Sequence, residues 1–126
     1  MKIILLFVGI VLWSGLTWAH NVSETAAAYS PELVQKAEAG NAEAQYSLGV
    51  CYFKGKGVDQ NAEAAVKWWT LAAKQGNAYA QFNLGECYDE GKGVAKDARE
   101  AVKWISLAAK QGLPLAQKEL DRLQAK

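Results

Sequence analysis

The amino-acid sequence predicts an all-α fold, a solenoid of antiparallel helix pairs, from three observations. Residues 37–72 align with residues 73–108 without a gap, with roughly 21 identities in the 36-residue period. A third copy begins at residue 109 and contains only the first half of the unit. Gly40, Gly76 and Gly112 stand where a helix end would use the left-handed backbone that glycine tolerates. A repeat of this length implies stacked helix pairs, because one pair alone cannot bury its apolar face.

The first 19 residues carry the features of an export signal. Met1 and Lys2 precede an apolar run over residues 3–16, and small residues stand at positions 17 and 19. This order is typical of a secretory signal that is cleaved after Ala19. The alternative is an uncleaved membrane anchor, because the run approaches the length that spans a bilayer. Residues 20–30 lack an apolar period and predict a flexible leader, so we expect the repeat domain at 31–126.

Local signals predict the helices of this domain. Ser30 and Pro31 favour a helix start, with serine as the N-cap and proline at the first helical position. Asn61 and Asp97 are expected to cap the second helices of the two pairs, after a Gly-Lys-Gly turn in each copy. We expect five helices, at about 31–39, 42–53, 61–75, 78–89 and 114–125.

The expected boundaries of the units follow from this assignment. The two full repeats are placed at about 37–72 and 73–108, between an N-terminal half-repeat at 31–40 and a C-terminal half-repeat at 109–126. In the last half-repeat, Leu115, Ala116, Leu120 and Leu123 share one side of the predicted helix. Charged residues lie largely on the other side, so this helix is expected to cap the stack.

The identical positions of the two copies also carry a family resemblance. In the first copy they include Ala44, Gln45, Leu48, Gly49, Tyr52, Gly55, Lys56, Gly57, Val58, Ala65, Trp68, Ala72, Ala73 and Gly76. This pattern resembles the Sel-one-like (Sel1-like) repeat, a branch of the tetratricopeptide superfamily. The resemblance implies a right-handed solenoid that serves as a protein-interaction scaffold, common among small exported bacterial proteins and usually without catalysis.

A partner-binding surface is expected on the first helix of each pair. Successive residues are rotated by about 100° around the axis of this helix, and the positions identical in both copies fall in one arc roughly 160° wide, as stacking requires. The positions that differ fall within an arc of about 120° on the other side. In a tetratricopeptide-like solenoid the first helices line the concave face. The candidate protein-binding residues are therefore Glu43, Tyr46, Val50, Phe53, Tyr79, Phe82, Glu86 and Asp89. The alternative is that these positions are only solvated, or that Tyr46 and Phe82 pack against neighbouring turns.

The repeated tryptophans and cysteines are interpreted as packing residues. Trp68 and Trp104 occupy one register of the second helices, which favours helix packing over ligand binding. Cys51 and Cys87 recur on neighbouring helices, where equivalent positions lie about 8–10 Å apart. A disulfide needs Cα atoms at roughly 4.4–6.8 Å, so we expect two buried thiols that act as small apolar side chains. The disulfides of cysteine-rich relatives are not implied, because the second cysteine of each repeat is missing.

No arrangement of residues predicts catalysis, a cofactor or a metal site. Lys and Arg number 14 and Asp and Glu number 13, which argues against nucleic-acid binding. The single histidine, His20, lies in the leader, so no base is positioned for either cysteine and no typical zinc site is available. We therefore expect a non-enzymatic adaptor, periplasmic or secreted, that binds an envelope protein or peptide.

Two alternative functions remain open at this point. The first is a hydrolase of cell-wall or β-lactam substrates, as in some cysteine-rich relatives. The second is a small immunity or inhibitor protein with one cognate partner. The identity of any partner and the oligomeric state do not follow from the residues. No stable membrane anchor is expected if the signal is cleaved.

Overall fold

The structure is a computed structural model that describes residues 28–125. Within this range the chain forms six α-helices and no strand. In chain order they are α1 (Pro31–Glu38), α2 (Ala42–Lys54), α3 (Ala62–Lys74), α4 (Ala78–Glu90), α5 (Ala98–Lys110) and α6 (Pro114–Gln124). Each helix packs chiefly against the helices before and after it in the chain, which is the organisation of a solenoid. The predicted all-α repeat fold is confirmed, and the predicted export signal lies outside the described residues.

The structure contains one helix more than the five that we expected. The additional helix is α5, the second helix of the second pair, and it lies 36 residues after α3. Asp97 caps α5 as expected, since its Oδ1 accepts from the amides of Arg99 and Glu100 at 3.0 and 3.1 Å. The expectation of five helices was wrong because the 36-residue period was not applied to the helix that follows Asp97.

The predicted helix starts and ends agree with the structure. Ser30 Oγ accepts from the amide of Leu33 at 3.1 Å, and Pro31 is the first residue of α1. Asn61 Oδ1 accepts from the amide of Ala64 at 3.0 Å and caps α3.

Tyr29, near the end of the predicted leader, packs its ring edge-on against Tyr52 at 6.3 Å between centroids. Tyr29 and Ser30 therefore belong to the packed domain.

A close approach between the two helices of each pair is possible because a glycine lies at the contact. In the first pair a Cβ on Gly49 would stand 2.4 Å from the indole Nε1 of Trp69. In the second pair a Cβ on Gly85 would stand 2.4 Å from Cγ1 of Ile105. Trp69 and Ile105 are both buried, so the two pairs use one packing mode with different side chains.

Glutamine side chains link each repeat to the next. Gln81, which is 5% exposed, donates to the carbonyl of Ala73 at 3.1 Å and accepts from Gln111 Nε2 at 2.9 Å. Gln45 makes the same two hydrogen bonds one repeat earlier. It donates to the carbonyl of Ala37 at 3.1 Å and accepts from Gln75 Nε2 at 2.8 Å. These bonds satisfy two buried amides, which would be costly to leave unpaired.

The last helix covers the end of the stack with part of its predicted apolar side. Ala116 is buried against Ile105 and Ala108, and Leu120 and Leu123 pack against the same cluster. Leu115 was expected on this side, but it is 62% exposed. The difference arises because Leu115 occupies the register of Tyr79 in the preceding repeat, which is also exposed.

Candidate protein-binding groove

A groove of about 370 Å³ lies between α2 and α4, the first helices of the two pairs. We call it the aromatic groove. Its lining residues are Tyr46, Val50, Phe53, Lys54, Trp69, Phe82, Asn83, Glu86, Cys87, Glu90 and Lys92. Five of the eleven are aromatic or aliphatic, and the charged side chains come from α4, the end of α2 and the turn after α4.

Five of the eight candidate residues line the aromatic groove. They are Tyr46, Val50, Phe53, Phe82 and Glu86. Tyr79 lies beside it, with its ring centroid 5.9 Å from that of Tyr46 and 57% of its surface exposed. Glu43 is exposed outside the lining, and Asp89 is engaged in an ion pair with Arg122. The structure thus brings most of the predicted stripe together around one cavity.

Three of the four candidate aromatics also pack against the core, whereas the alternative interpretation had Tyr46 and Phe82 packing against neighbouring turns. Tyr46 and Phe53 pack against the cluster that contains Trp69, and Phe82 packs against the cluster of Ile105. These side chains are half-buried. These three side chains therefore support the fold and also line the aromatic groove.

Trp69 forms part of the wall, although the candidate residues did not include it. Its indole Nε1 donates to the carbonyl of Tyr46 at 3.1 Å, and the Phe53 ring lies 5.2 Å from its own ring. Only 2% of Trp69 is exposed, so the side chain is fixed. The sequence alone carries no signal for this role, because it depends on a contact with Gly49 on another helix, where only a glycine leaves room for the indole.

Lysines at the turns were missing from the candidate residues. Lys92 Nζ lies 4.9 Å from the centroid of the Phe53 ring, within the range of a cation–π contact. Lys54, the last residue of α2, lies at the same end of the aromatic groove. Since the comparison of copies was limited to the first helices, it could not include Lys92, which follows α4.

A second cavity of about 600 Å³ continues the surface between α4 and α6. We call it the charged cavity. It shares Phe82 and Glu86 with the aromatic groove, and its other lining residues are Leu115, Lys118, Glu119, Asp121 and Arg122. Most of these lie 36 positions after residues of the candidate stripe, so the period applied to α6 would have identified them.

Carboxylates converge where the two cavities meet. Arg122 donates to Asp89 Oδ2 at 2.7 Å and from its Nε to Glu119 Oε1 at 2.7 Å. The pKa of Glu86 is raised to about 7, and burial is the largest cause. The charge of Glu119, the hydrogen bond between Glu86 and Glu119, and the charge of Glu90 also raise this pKa. The hydrogen bond from Arg122 lowers the pKa of Glu119. Near neutral pH, Glu86 therefore shares its site with an ionised Glu119 and changes charge itself.

Both cysteines are buried, and neither takes part in a disulfide. Cys87 lines the aromatic groove with 3% of its surface exposed, and burial raises its thiol pKa to about 11. Burial also raises the pKa of Cys51. Since the thiolate is the nucleophile, these raised values suit packing better than catalysis. Within residues 28–125, no group of three or more His, Cys, Asp or Glu side chains is arranged to hold a metal ion.

Comparison with known families agrees with the repeat architecture. The family model described as Sel1 repeat matches residues 42–77 and 78–113. These bounds keep the 36-residue period but begin each unit at the first helix of a pair, whereas our alignment began at residues 37 and 73. A comparison with curated proteins finds no significant match.

Solved bacterial proteins share the fold. A Sel1 repeat protein from Oxalobacter formigenes is 42% identical at a TM-score of 0.72, over 72% of this chain and 26% of that one. A protective antigen of uropathogenic Escherichia coli with an SLR fold is 45% identical, with a TM-score of 0.68. The match covers 69% of this chain and 19% of that protein. Cysteine-rich protein B of Helicobacter pylori is 27% identical, with a TM-score of 0.66. The match covers 70% of this chain and 66% of that protein. This chain thus spans about a quarter and a fifth of the first two.

Proposed function

Because the chain belongs to the Sel1 repeat family, we propose that it is an interaction scaffold whose aromatic groove holds a segment of another protein. Sel1 repeats form a non-catalytic scaffold fold, and the proteins that contain them generally bind other proteins. The observation that carries the proposal is the aromatic groove itself. It is formed by half-buried aromatic side chains at positions where the two repeats differ.

The groove has the composition of the centre of a protein interface. Tyr46, Phe53 and Phe82 are held by contacts with the core, so the scaffold would lose little side-chain entropy when a partner binds. The rim carries Lys54 and Glu90, which can hydrogen-bond the backbone of a bound segment. A volume of about 370 Å³ suits one or two large apolar side chains of a peptide.

The repeat itself supplies variants that test the aromatic groove with side chains that the second repeat already carries at the same register. Val50→Glu with Phe53→Asp places in the first repeat the residues that the second repeat has at Glu86 and Asp89. Asp59→Ala with Glu63→Arg is the matched control, since it makes the same kind of exchange at exposed positions outside the groove. Affinity capture from an envelope extract, read by mass spectrometry, would compare both with the native protein.

We expect the native protein and the control to retain the same partner and the groove variant to lose it. Circular dichroism would verify that all three proteins are equally helical. Equal recovery by a folded groove variant would refute the aromatic groove as the binding surface.

We infer that the protein acts outside the cytoplasm, where it serves as a non-enzymatic adaptor for an envelope protein or peptide. The support for export is the residue order of the first 19 positions. Within residues 28–125, no helix combines the length and apolarity needed to cross a bilayer. Intact-mass and N-terminal analysis of the protein from cytoplasmic, periplasmic and culture fractions would test export. A mature form beginning at His20 is expected, and a chain that keeps Met1 in the cytoplasmic fraction would contradict it.

A further inference from the structure

Exposed residues that stay the same between the two repeats need an explanation, because packing does not require them. When the units are taken as 42–77 and 78–113, seven positions are exposed in both units and unchanged. In the first unit they are Gly55, Lys56, Lys67, Leu71, Lys74, Gln75 and Gly76. Other exposed positions do change, such as Glu43 to Tyr79 and Glu63 to Arg99. A shared origin of the two repeats therefore does not by itself account for this identity.

Backbone geometry and hydrogen bonds explain part of this set. Gly55 and Gly76 have φ values of +70° and +96°, which favour glycine. Gln75 donates to the buried Gln45. Lys92, the counterpart of Lys56, lies over the Phe53 ring. Three pairs remain after these are removed, and they are Lys67 with Lys103, Leu71 with Leu107, and Lys74 with Lys110.

These three pairs form one surface, which we call the outer stripe. Positions 67, 71 and 74 fall within about 60° of one another around α3, and they lie opposite the buried face of that helix. Positions 103, 107 and 110 have the same places on α5. Successive repeats present equivalent positions on the same side of a stack, so the two helices display one Lys-Leu-Lys pattern side by side.

The outer stripe is basic and contains two exposed leucines. Leu71 is 41% exposed and Leu107 is 36% exposed, and each has a lysine about one turn away on both sides. Arg99 adds a cation next to the stripe on α5, while Glu63 and Glu100 are the acidic neighbours. Glu100 lies 3.7 Å from Lys103, and Lys103 also lies 5.0 Å from the Trp104 ring centroid. Five cations against two carboxylates leave a net positive face.

We propose that the outer stripe docks this protein on an anionic lipid surface, with Leu71 and Leu107 entering the headgroup region between lysines that contact the lipid phosphates. Surface-bound helices combine leucines with lysines in this way, because long lysine side chains can reach the headgroups while the leucines are buried. The attraction of anionic lipids grows with each lysine near the surface. The docked orientation would leave α2, α4 and the aromatic groove uncovered, since they lie away from the outer stripe.

An acidic protein is the competing occupant, and the composition of the stripe disfavours it. Lysine is depleted at protein interfaces, and the aromatic residues and arginine that dominate their binding energy are scarce on this face. A pattern repeated without variation suits a surface of many equal headgroups. A single protein partner would instead contact two non-equivalent sites.

Lysine footprinting on the full chain provides a local test. The protein would be acylated in the presence of phosphatidylcholine vesicles with or without phosphatidylglycerol, at low salt, and the modified lysines quantified by mass spectrometry. We expect Lys67, Lys74, Lys103 and Lys110 to react several-fold more slowly on the anionic vesicles, with Lys56 and Lys118 unchanged. Attachment of the chain through its apolar N-terminal segment would not by itself protect these four lysines in preference to Lys56 and Lys118. Uniform protection, or none, would overturn the proposal.

Matched variants separate the stripe from general charge attraction. Lys67→Gln with Lys103→Gln should weaken binding to the anionic vesicles by roughly tenfold or more. Lys56→Gln with Lys92→Gln removes the same charge at another repeated pair and should have a much smaller effect. Equal losses in the two variants would overturn the proposal.

Leu71→Ser with Leu107→Ser distinguishes lipid from an acidic protein. This variant should lose vesicle binding but keep any binding to soluble polyglutamate, which has no apolar phase. Unchanged vesicle binding by the serine variant, together with equal binding of the native protein to polyglutamate, would assign the stripe to acidic polymers and overturn the lipid proposal.

Discussion

At the scale of single residues, the glycine at the contact of each helix pair constrains the fold. We predict that Gly85→Ala destabilises the protein by roughly 1–2 kcal/mol, although alanine improves helix propensity by about 1 kcal/mol. The new Cβ would stand 2.4 Å from Cγ1 of Ile105 and 3.1 Å from the carbonyl oxygen of Ala101. Ile105 is fully buried and cannot move aside. Chemical denaturation followed by circular dichroism would measure the loss.

A double-mutant cycle tests whether this contact is the cause. Ile105→Ala alone should cost about 2–5 kcal/mol, because it leaves a cavity. In the combined variant the methyl group introduced at position 85 fills part of that cavity, so the total cost should be smaller than the sum. Additive losses would show that the destabilisation has another origin.

The charge of Glu86 gives the protein a specific dependence on pH. Its folded-state pKa is raised to about 7, with burial as the largest cause, whereas the unfolded chain has the ordinary value of 4.5. The folded state therefore binds this proton more tightly, and the stabilisation is fully present below pH 4.5 and lost as the pH rises through 7. Melting temperatures measured from about pH 5 to about pH 8 should decline over this interval.

Glu86→Gln is the control for that titration, because the amide stays neutral and can still donate to Glu119. The variant should melt close to the native protein at about pH 5 and above it at about pH 8. The pKa of Glu119 is lowered, so it remains ionised throughout this interval. An identical decline in the two proteins would assign the pH dependence to other groups.

At the scale of the helices, the glutamine links determine how one repeat is fixed to the next. We predict that Gln81→Leu destabilises the protein by about 1–3 kcal/mol, because Gln111 and the Ala73 carbonyl each lose a partner. Gln117 occupies the same register in α6, but it is exposed and donates to Asp121 at 3.0 Å. Gln117→Leu is therefore the matched control and should change the denaturation midpoint little. Equal effects at both positions would contradict a role for the links.

The helices show which parts of the fold and site could be predicted from the sequence. The period, the caps at Ser30 and Asn61, and the grouping of Tyr46 with Phe82 follow from residue type and spacing. Helix α5 was also present in that pattern but was not counted. The wall formed by Trp69 could not be assigned from one copy, because its place depends on the space left by Gly49 on another helix. Long-range contacts of this kind depend on packing.

At the scale of the whole molecule, the two ends of the stack are expected to open before its centre. Helices α1 and α6 each pack chiefly on one neighbour, whereas α2 to α5 each pack chiefly on two. Helix α6 has no side-chain hydrogen bond at its N-cap, Leu113, and buries only Ala116 completely. Amide hydrogen exchange should therefore be fastest in α1 and α6, and slowest in the helices that form the aromatic groove. The groove would then already be formed before a partner binds.

Arg122 provides the test of this gradient, because it connects α6 to α4 through Asp89. Arg122→Ala removes that connection and the hydrogen bonds to Glu119, leaving Glu86, Asp89 and Glu119 without their cation. We predict several-fold faster exchange of the α6 amides and unchanged exchange in α2 and α3. Arg99→Ala removes an exposed arginine of α5 and should leave all helices unchanged. If Arg122→Ala accelerated every helix equally, the molecule would open as one unit and the groove would not be its most stable part.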